Sequence, residues 1–190
     1  MLLTSALPGD GKTFTTFNLA LSMARERDVT VLLVDGDLPR AHISHVLGMH
    51  GEPGLLNALR DDALDIESLV HDSDIPGLEI LPAGAPSEGA AELIASVHMR
   101  ETAFRLIRRS PRRLVLFDSP PLLVSSEARA LVQIPGQIVL VARAGHTPCQ
   151  AIVEALTHVD RSRLTGLILN DGHVSTESGY YGYGSDGKSD

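Results

Sequence analysis

The 190 residues suit a single domain, and the aliphatic-rich, tryptophan-free composition predicts a core of Leu, Val, Ile and Ala. A formal net charge of −8 argues against a nucleic-acid or anionic-lipid surface covering the whole molecule. The single cysteine, Cys149, excludes an internal disulfide framework, and no apolar run reaches membrane-spanning length, so a soluble chain in a reducing compartment is expected.

Short β-rich runs alternate with helical runs, the pattern of an α/β domain with a mostly parallel sheet. The first strand is Leu2–Ser5, followed by a loop punctuated by Gly9 and Gly11 and a helix over Lys12–Arg25. Val29–Val34 is nearly all apolar and reads as a strand buried on both faces. Helical stretches follow at His42–Leu47, Leu55–Arg60 and, more weakly, Ile66–Val70; Leu78–Leu81 is a short strand. Pro82, Gly84 and Pro86 mark a loop before helices at Ala90–Ser96 and Met99–Arg109. Leu114–Phe117 is a strand ending at Asp118, Glu127–Val132 a helix, Gln137–Val141 a strand, Thr147–Val159 a helix and Leu164–Leu169 the last strand. Arg105, Arg108, Arg109, Arg112 and Arg113 crowd one stretch; a solvated helix end beside its C-terminal dipole and a local basic patch are both open readings. The composition therefore divides the chain into a domain over residues 1–170 and a Gly-, Ser-, Tyr- and Asp-rich tail over 171–190, expected to be flexible.

The segment Ala6-Leu7-Pro8-Gly9-Asp10-Gly11-Lys12-Thr13 follows a strand and opens a helix, the context that a phosphate-binding loop requires. Backbone N–H groups of such a loop point at an anion, aided by the helix dipole. Lys12 is expected against the β- and γ-phosphates of ATP and the Thr13 hydroxyl on Mg²⁺, with Gly9, Asp10, Gly11 and Phe14 completing the nucleotide contacts. Ala6 stands where the general pattern has its first glycine.

Two acidic motifs end predicted strands. Val31-Leu-Leu-Val-Asp35-Gly36-Asp37 places two carboxylates past one, and Leu114-Val-Leu-Phe-Asp118-Ser119-Pro120-Pro121 a third past another. Ligands of open α/β sheets bind beyond the carboxyl ends of the strands, so the three acids should converge on the phosphates. Each Asp taken alone could equally cap a helix or turn. His42 and His45 lie three apart without an evident third ligand and read as surface residues.

These motifs, continued by Phe14 to Ala20, strongly resemble the bacterial tyrosine kinases of exopolysaccharide biosynthesis, and within them the autokinases encoded beside exosortase systems. The resemblance covers nearly the whole chain. Val34–Arg40 is similar to the family's extra acidic motif, Walker A′, and Phe117–Pro121 to its Walker B motif. Leu81-Pro82-Ala83-Gly84 and Glu92–Ser96 are similar to two further signatures. The chain departs from the family in having Gly36 where Ala is common, Pro39 where a basic residue is common, and a short N-terminus, which the resemblance implies is either that of a fragment or a truncated start. The partitioning and septum-placement ATPases carry a second lysine early in the loop, where this chain has Leu7.

The resemblance implies a P-loop fold and a reaction in which the γ-phosphoryl of ATP passes to tyrosine. Lys12, Asp35, Asp37 and Asp118 are the implied catalytic residues; Thr13, Asp37 and Asp118 hold Mg²⁺, and Asp35 orients or deprotonates the acceptor. Asn170 would reach adenine through its amide, although a turn-forming Asn before Asp171-Gly172 explains it as well. All three tyrosines of the chain, Tyr180, Tyr181 and Tyr183, stand among glycines in the tail and are the implied phosphoacceptors, presented in trans within a homo-oligomer. A membrane chain-length or co-polymerase protein of polysaccharide export is the implied activator, holding a cytoplasmic chain at the inner face of the plasma membrane; no nucleic-acid partner is expected. The competing expectations are a partitioning-type ATPase that acts as a nucleotide-switched assembly factor, and an ATP-binding regulatory subunit with little turnover.

Overall fold

The computed structural model describes residues 1–85 and 89–172. Tyr180, Tyr181 and Tyr183 lie outside the described residues. The element order is β1 (Leu2–Ser5), α1 (Lys12–Met23), β2 (Thr30–Asp35), α2 (His42–Val46), α3 (Leu55–Arg60), a 3-10 turn (Ile66–Leu69), β3 (His71–Asp72), β4 (Leu78–Leu81), α4 (Ala90–Ala95), α5 (Val97–Arg108), β5 (Arg113–Asp118), α6 (Ser126–Leu131), β6 (Ile138–Arg143), α7 (Cys149–Leu156) and β7 (Leu164–Asn170). The strands form one sheet in the order β3-β4-β2-β5-β1-β6-β7, parallel throughout except for the β3–β4 pair.

A parallel sheet covered on both faces needs strands that are apolar on both faces, and the central strands meet that demand. Leu2 and Leu3 are both fully buried, yet they belong to different apolar clusters because successive side chains point to opposite faces. In β2, Leu32 and Val34 join the first cluster, and Val31 and Leu33 the second. The first cluster is completed by α3 to α7, through residues such as Leu56, Ile94, Leu106, Leu131 and Ala155. The second is completed by Phe17 and Ala20 of α1 and Ile43 of α2. Each fully buried Leu contributes about 1.5–3 kcal/mol by leaving water.

The elements depart from the sequence-based reading mainly at their ends. α1 stops at Met23 rather than Arg25, in a run of turns that reaches Asp28 at φ 66°. α7 begins after Pro148, whose fixed φ suits a helix start. Ser96 separates α4 from α5 and caps α5, its Oγ accepting the Met99 N–H at 3.1 Å. The two-residue β3 was not expected: it is too short for alternation and pairs antiparallel at the sheet edge.

Topology decides where the site falls. From β1 the chain moves toward β2 and β4 on one side of the sheet and reaches β6 and β7 on the other, so the order reverses at β1. The loop at the carboxyl end of β1 therefore opens at the crevice where open α/β sheets bind ligands.

Candidate functional site

Gly11 stands at the N-cap of α1 with φ 91°, in the left-handed region that favours glycine. A β-carbon there would also collide with the Asn170 side chain. The loop thus turns tightly into the helix, and Lys12 and Thr13 are the first helical residues. Gly9, Gly11, Lys12, Thr13, Phe14, Asp37, Arg40 and His42 line a cavity of about 270 Å³ over that helix end. Phe14 is exposed and forms part of its rim.

The predicted acids converge here. Lys12 Nζ donates to Asp37 Oδ2 at 2.9 Å, and the Asp37 side chain is only 2% exposed. Lys12 Nζ also lies 3.2 Å from Thr13 Oγ1, which in turn donates to Asp118 Oδ2 at 2.7 Å. Asp35 and Asp118 are direct partners in the parallel register of β2 and β5, which places both carboxylates at the same sheet edge. Asp35, Asp37 and Asp118 are all buried.

Gly36 follows from this closeness. Its N–H donates to the Asp118 carbonyl at 2.9 Å, and a β-carbon at position 36 would lie 2.6 Å from that oxygen and 2.9 Å from Leu131 Cδ2. An alanine there would require β2 and the end of β5 to separate.

Burial in a shared acidic site shifts two of the carboxyls. Desolvation pushes Asp118 up to about 7, opposed by the Lys12 charge and the Thr13 hydrogen bond and reinforced by Asp35 and Asp37. Desolvation likewise pushes Asp35 up; two hydrogen bonds from Ser44 and a weaker one from the Asp37 backbone oppose it, and the Asp37 charge adds to it. One oxygen of Asp35, Oδ1, is buried without a hydrogen-bond partner.

The donor set suits Mg²⁺. A hydroxyl and carboxylate oxygens are hard ligands, and a divalent ion would relieve the crowded charge. Among the described residues no group of three or more His, Cys, Asp or Glu side chains forms a metal cage. A small set of protein ligands is the arrangement expected of Mg²⁺ carried in with a phosphate ligand.

Asp10 serves the site in a way that the sequence did not reveal. Its side chain faces into the protein: Oδ2 accepts the Leu7 N–H at 3.0 Å, and Oδ1 accepts the Thr147 hydroxyl at 2.6 Å. Asn170 Nδ2 donates to the Asp10 carbonyl at 3.0 Å. Asp10 is therefore a brace that ties the loop to the ends of β6 and β7, and its carboxylate is not free for phosphate. Asn170 takes part in that brace and also lines a cleft of about 580 Å³ with Phe14, Thr15, Asn18 and Asp171, beside the phosphate cavity.

Three site residues were not anticipated. Thr16 Oγ1 donates to the Lys12 carbonyl at 2.8 Å and lies 3.3 Å from Asp118 Oδ1; its spacing of three from Thr13 on a helix could have marked it. Ser44 and Thr147 carry no motif, and only the fold brings them to Asp35 and Asp10.

No known family model matches the chain. Among characterised proteins, the tyrosine-protein kinase YwqD of Bacillus subtilis is 32% identical over 186 residues, which cover 96% of this chain and 77% of YwqD. The chain belongs to the bacterial tyrosine-protein kinase family. The putative tyrosine-protein kinase EpsB of Ralstonia nicotianae is 31% identical over 187 residues, 97% of this chain; there the chain spans only 24% of the relative's length. Among solved structures, the VpsO kinase domain superposes with a TM-score of 0.79 at 36% identity, covering 89% of this chain and 82% of that one. The septum site-determining protein MinD of Pyrococcus horikoshii, solved with Mg-ADP, has a TM-score of 0.67 at 22% identity, a likeness of fold alone, over 88% of this chain and 68% of MinD. The expectation of a P-loop tyrosine-kinase fold with a mostly parallel sheet is thus borne out. Among the described residues, no helix is long and apolar enough to cross a membrane.

Proposed function

We propose that this tyrosine-protein kinase domain transfers the γ-phosphoryl of ATP to Tyr180, Tyr181 and Tyr183 of a neighbouring copy. The observation that carries this reading is the convergence of Lys12, Thr13, Asp35, Asp37 and Asp118 at one sheet edge, within a chain whose relatives are named as tyrosine-protein kinases.

Phosphoryl transfer has a loose transition state, so positioning and charge stabilisation supply most of the catalysis. The Lys12 ammonium exchanges Asp37 for the β- and γ-phosphate oxygens. Thr13, Asp37 and Asp118 would hold Mg²⁺, which would offset the negative charge of the phosphates. The tyrosine oxygen bonds to Pγ as the bond from Pγ to the bridging oxygen of ADP breaks. Asp35 accepts the phenolic proton, a role favoured by a carboxyl whose affinity for protons is raised by burial. Asn170 borders the cleft proposed for adenine.

The setting is proposed from the same family. Modified tyrosines would regulate exopolysaccharide synthesis or export, with the chain held at the inner face of the plasma membrane by a polysaccharide co-polymerase. The assembly-factor reading is weaker, because the position of that group's second lysine is Leu7, which packs against the core. Incubation of the chain with ATP and Mg²⁺, followed by phosphotyrosine detection, tests the reading. ATP-dependent phosphotyrosine supports it; phosphate release without phosphotyrosine supports the assembly factor instead.

A further inference from the structure

Ser44 sends two hydrogen bonds to one oxygen of Asp35. Its N–H lies 2.8 Å and its hydroxyl 2.7 Å from Oδ2. The same hydroxyl accepts the Ala83 N–H at 3.0 Å, so its proton is directed at Asp35 while its oxygen is engaged from the other side. Ser44 is 2% exposed and Asp35 0%. The other carboxylate oxygen, Oδ1, has no partner. Three separate elements thus meet on one side chain: β2 supplies Asp35, α2 supplies Ser44, and the loop after β4 supplies Ala83.

A buried carboxylate ordinarily collects hydrogen bonds on both oxygens, because an unsatisfied one is costly. Here both close donors fall on Oδ2. The arrangement fixes the carboxyl rotation and leaves Oδ1, itself buried, without a donor within hydrogen-bond distance.

We infer that Ser44 is a positioning residue for phosphoryl transfer, holding Asp35 through Oδ2 and leaving Oδ1 as the oxygen that takes the acceptor's proton. The inference rests on the tyrosine-kinase reading of this site. Ser44 touches neither phosphate nor acceptor and acts through Asp35. Its backbone N–H survives any substitution, whereas the hydroxyl and its link to Ala83 do not. The Pro82–Gly84 segment is itself anchored on α3, with Leu55 and Leu56 N–H groups donating to the Pro82 and Ala83 carbonyls at 2.8 and 3.0 Å. Ser44 therefore ties the orientation of Asp35 to a rigid neighbour rather than to a free loop.

The test compares the full chain with Ser44→Ala, Ser44→Thr, Asp35→Asn and the double variant Ser44→Ala/Asp35→Asn. Initial rates of phosphotyrosine formation are measured against ATP concentration, with thermal unfolding alongside. Loss of a hydrogen bond to a charged group should lower kcat about 10- to 100-fold while KM for ATP stays within about twofold. The double variant should be no slower than Asp35→Asn alone, because Ser44 has nothing left to position. Ser44→Thr keeps the hydroxyl and should recover most of the rate; if its extra methyl lowers Tm, the double-variant comparison decides. Wild-type kcat in Ser44→Ala, multiplying losses in the double variant, or a rise in KM for ATP that matches the loss in rate would each overturn the inference while leaving the kinase reading intact. A wild-type chain that forms no phosphotyrosine overturns the reading and the inference together.

Discussion

Thr147 and Asp10, 137 positions apart in sequence, share a 2.6 Å hydrogen bond that joins the loop after β6 to the phosphate-binding loop. Thr147 Oγ1 also accepts the Arg143 N–H at 2.7 Å, so the hydroxyl is held by the end of one strand while it holds the loop of another. The P-loop is braced through Asp10, whose carboxylate is held by Leu7 and Thr147. Thr147→Val keeps the shape and removes the hydroxyl. The loop then loses a bond to a carboxylate, about 1.5–3 kcal/mol. Affinity for ATP should fall about tenfold with a smaller change in kcat, because the variant disturbs a cradle used in ground and transition states alike. Nucleotide-binding calorimetry and steady-state kinetics check it; unchanged affinity would mean that the loop keeps its shape without Thr147.

Lys12→Met should abolish phosphotransfer, since no cation then meets the β- and γ-phosphates. It should also destabilise the nucleotide-free protein. Asp37 is 2% and Lys12 11% exposed in their side chains, so the variant leaves a buried carboxylate without its counter-charge. Removing one partner of a buried pair costs about 3 kcal/mol at the lower end, the end that fits a pair bordering an open cavity. Adding Asp37→Asn should recover much of that stability and none of the activity. Thermal unfolding of the two variants checks the first part. Equal Tm for wild type and Lys12→Met would show that Asp37 is not held by that pair.

Asp118 gives stability a pH dependence of unusual sign. Its carboxyl titrates near 3.8 when free and is pushed up to about 7 in the fold. Between those values the folded state holds the proton more tightly than the unfolded chain does. Its contribution to stability is therefore fully present below about pH 4 and is lost as pH rises to about 7. Asp118→Asn removes this term, so its Tm relative to wild type should climb between pH 4 and pH 7 in the absence of nucleotide. Mg²⁺-dependent ATP binding should show the opposite trend in wild type, strengthening toward pH 7 as the carboxylate becomes free for metal, and should be weak in Asp118→Asn throughout. A Tm difference that does not vary with pH would remove the proposed burial penalty at Asp118.

The sheet and the front of the site were legible because their signals are local. Val31–Val34 and Leu114–Phe117 announce buried parallel strands by unbroken apolar character, and the Gly-Lys-Thr of the loop announces a helix N-terminus. Each strand also ends on an acid, so topology alone collects Asp35, Asp37 and Asp118. The supporting shell was not legible. Ser44 and Thr147 are ordinary polar residues on or beside helices, and their roles exist only once β4 lies beside β2, and β6 beside β1. The partners of the Asp10 carboxylate, the Leu7 N–H and the Thr147 hydroxyl, were likewise not legible, because the loop's pattern speaks for its backbone and not for that side chain.

The tyrosines are predicted to be substrate without being structure. Replacing Tyr180, Tyr181 and Tyr183 by Phe keeps the rings and removes the acceptor oxygens. Phosphotyrosine should fall to background, while affinity for ATP stays within about twofold, because the substitutions leave Lys12 and Thr13 in place. In the wild type each phosphate adds a charge of about −1.5 to −2. Neighbouring modified tyrosines then repel one another and are repelled by Asp35, Asp37 and Asp118. A tail that enters a neighbouring site unmodified should therefore leave it once phosphorylated, and an oligomer held by that exchange should loosen. Mass spectrometry of the ATP-treated chain locates the phosphate, and light scattering before and after treatment measures the assembly. Phosphate found mainly on serine or threonine would sink the acceptor assignment, and an assembly of unchanged size after full tyrosine modification would sink the release step.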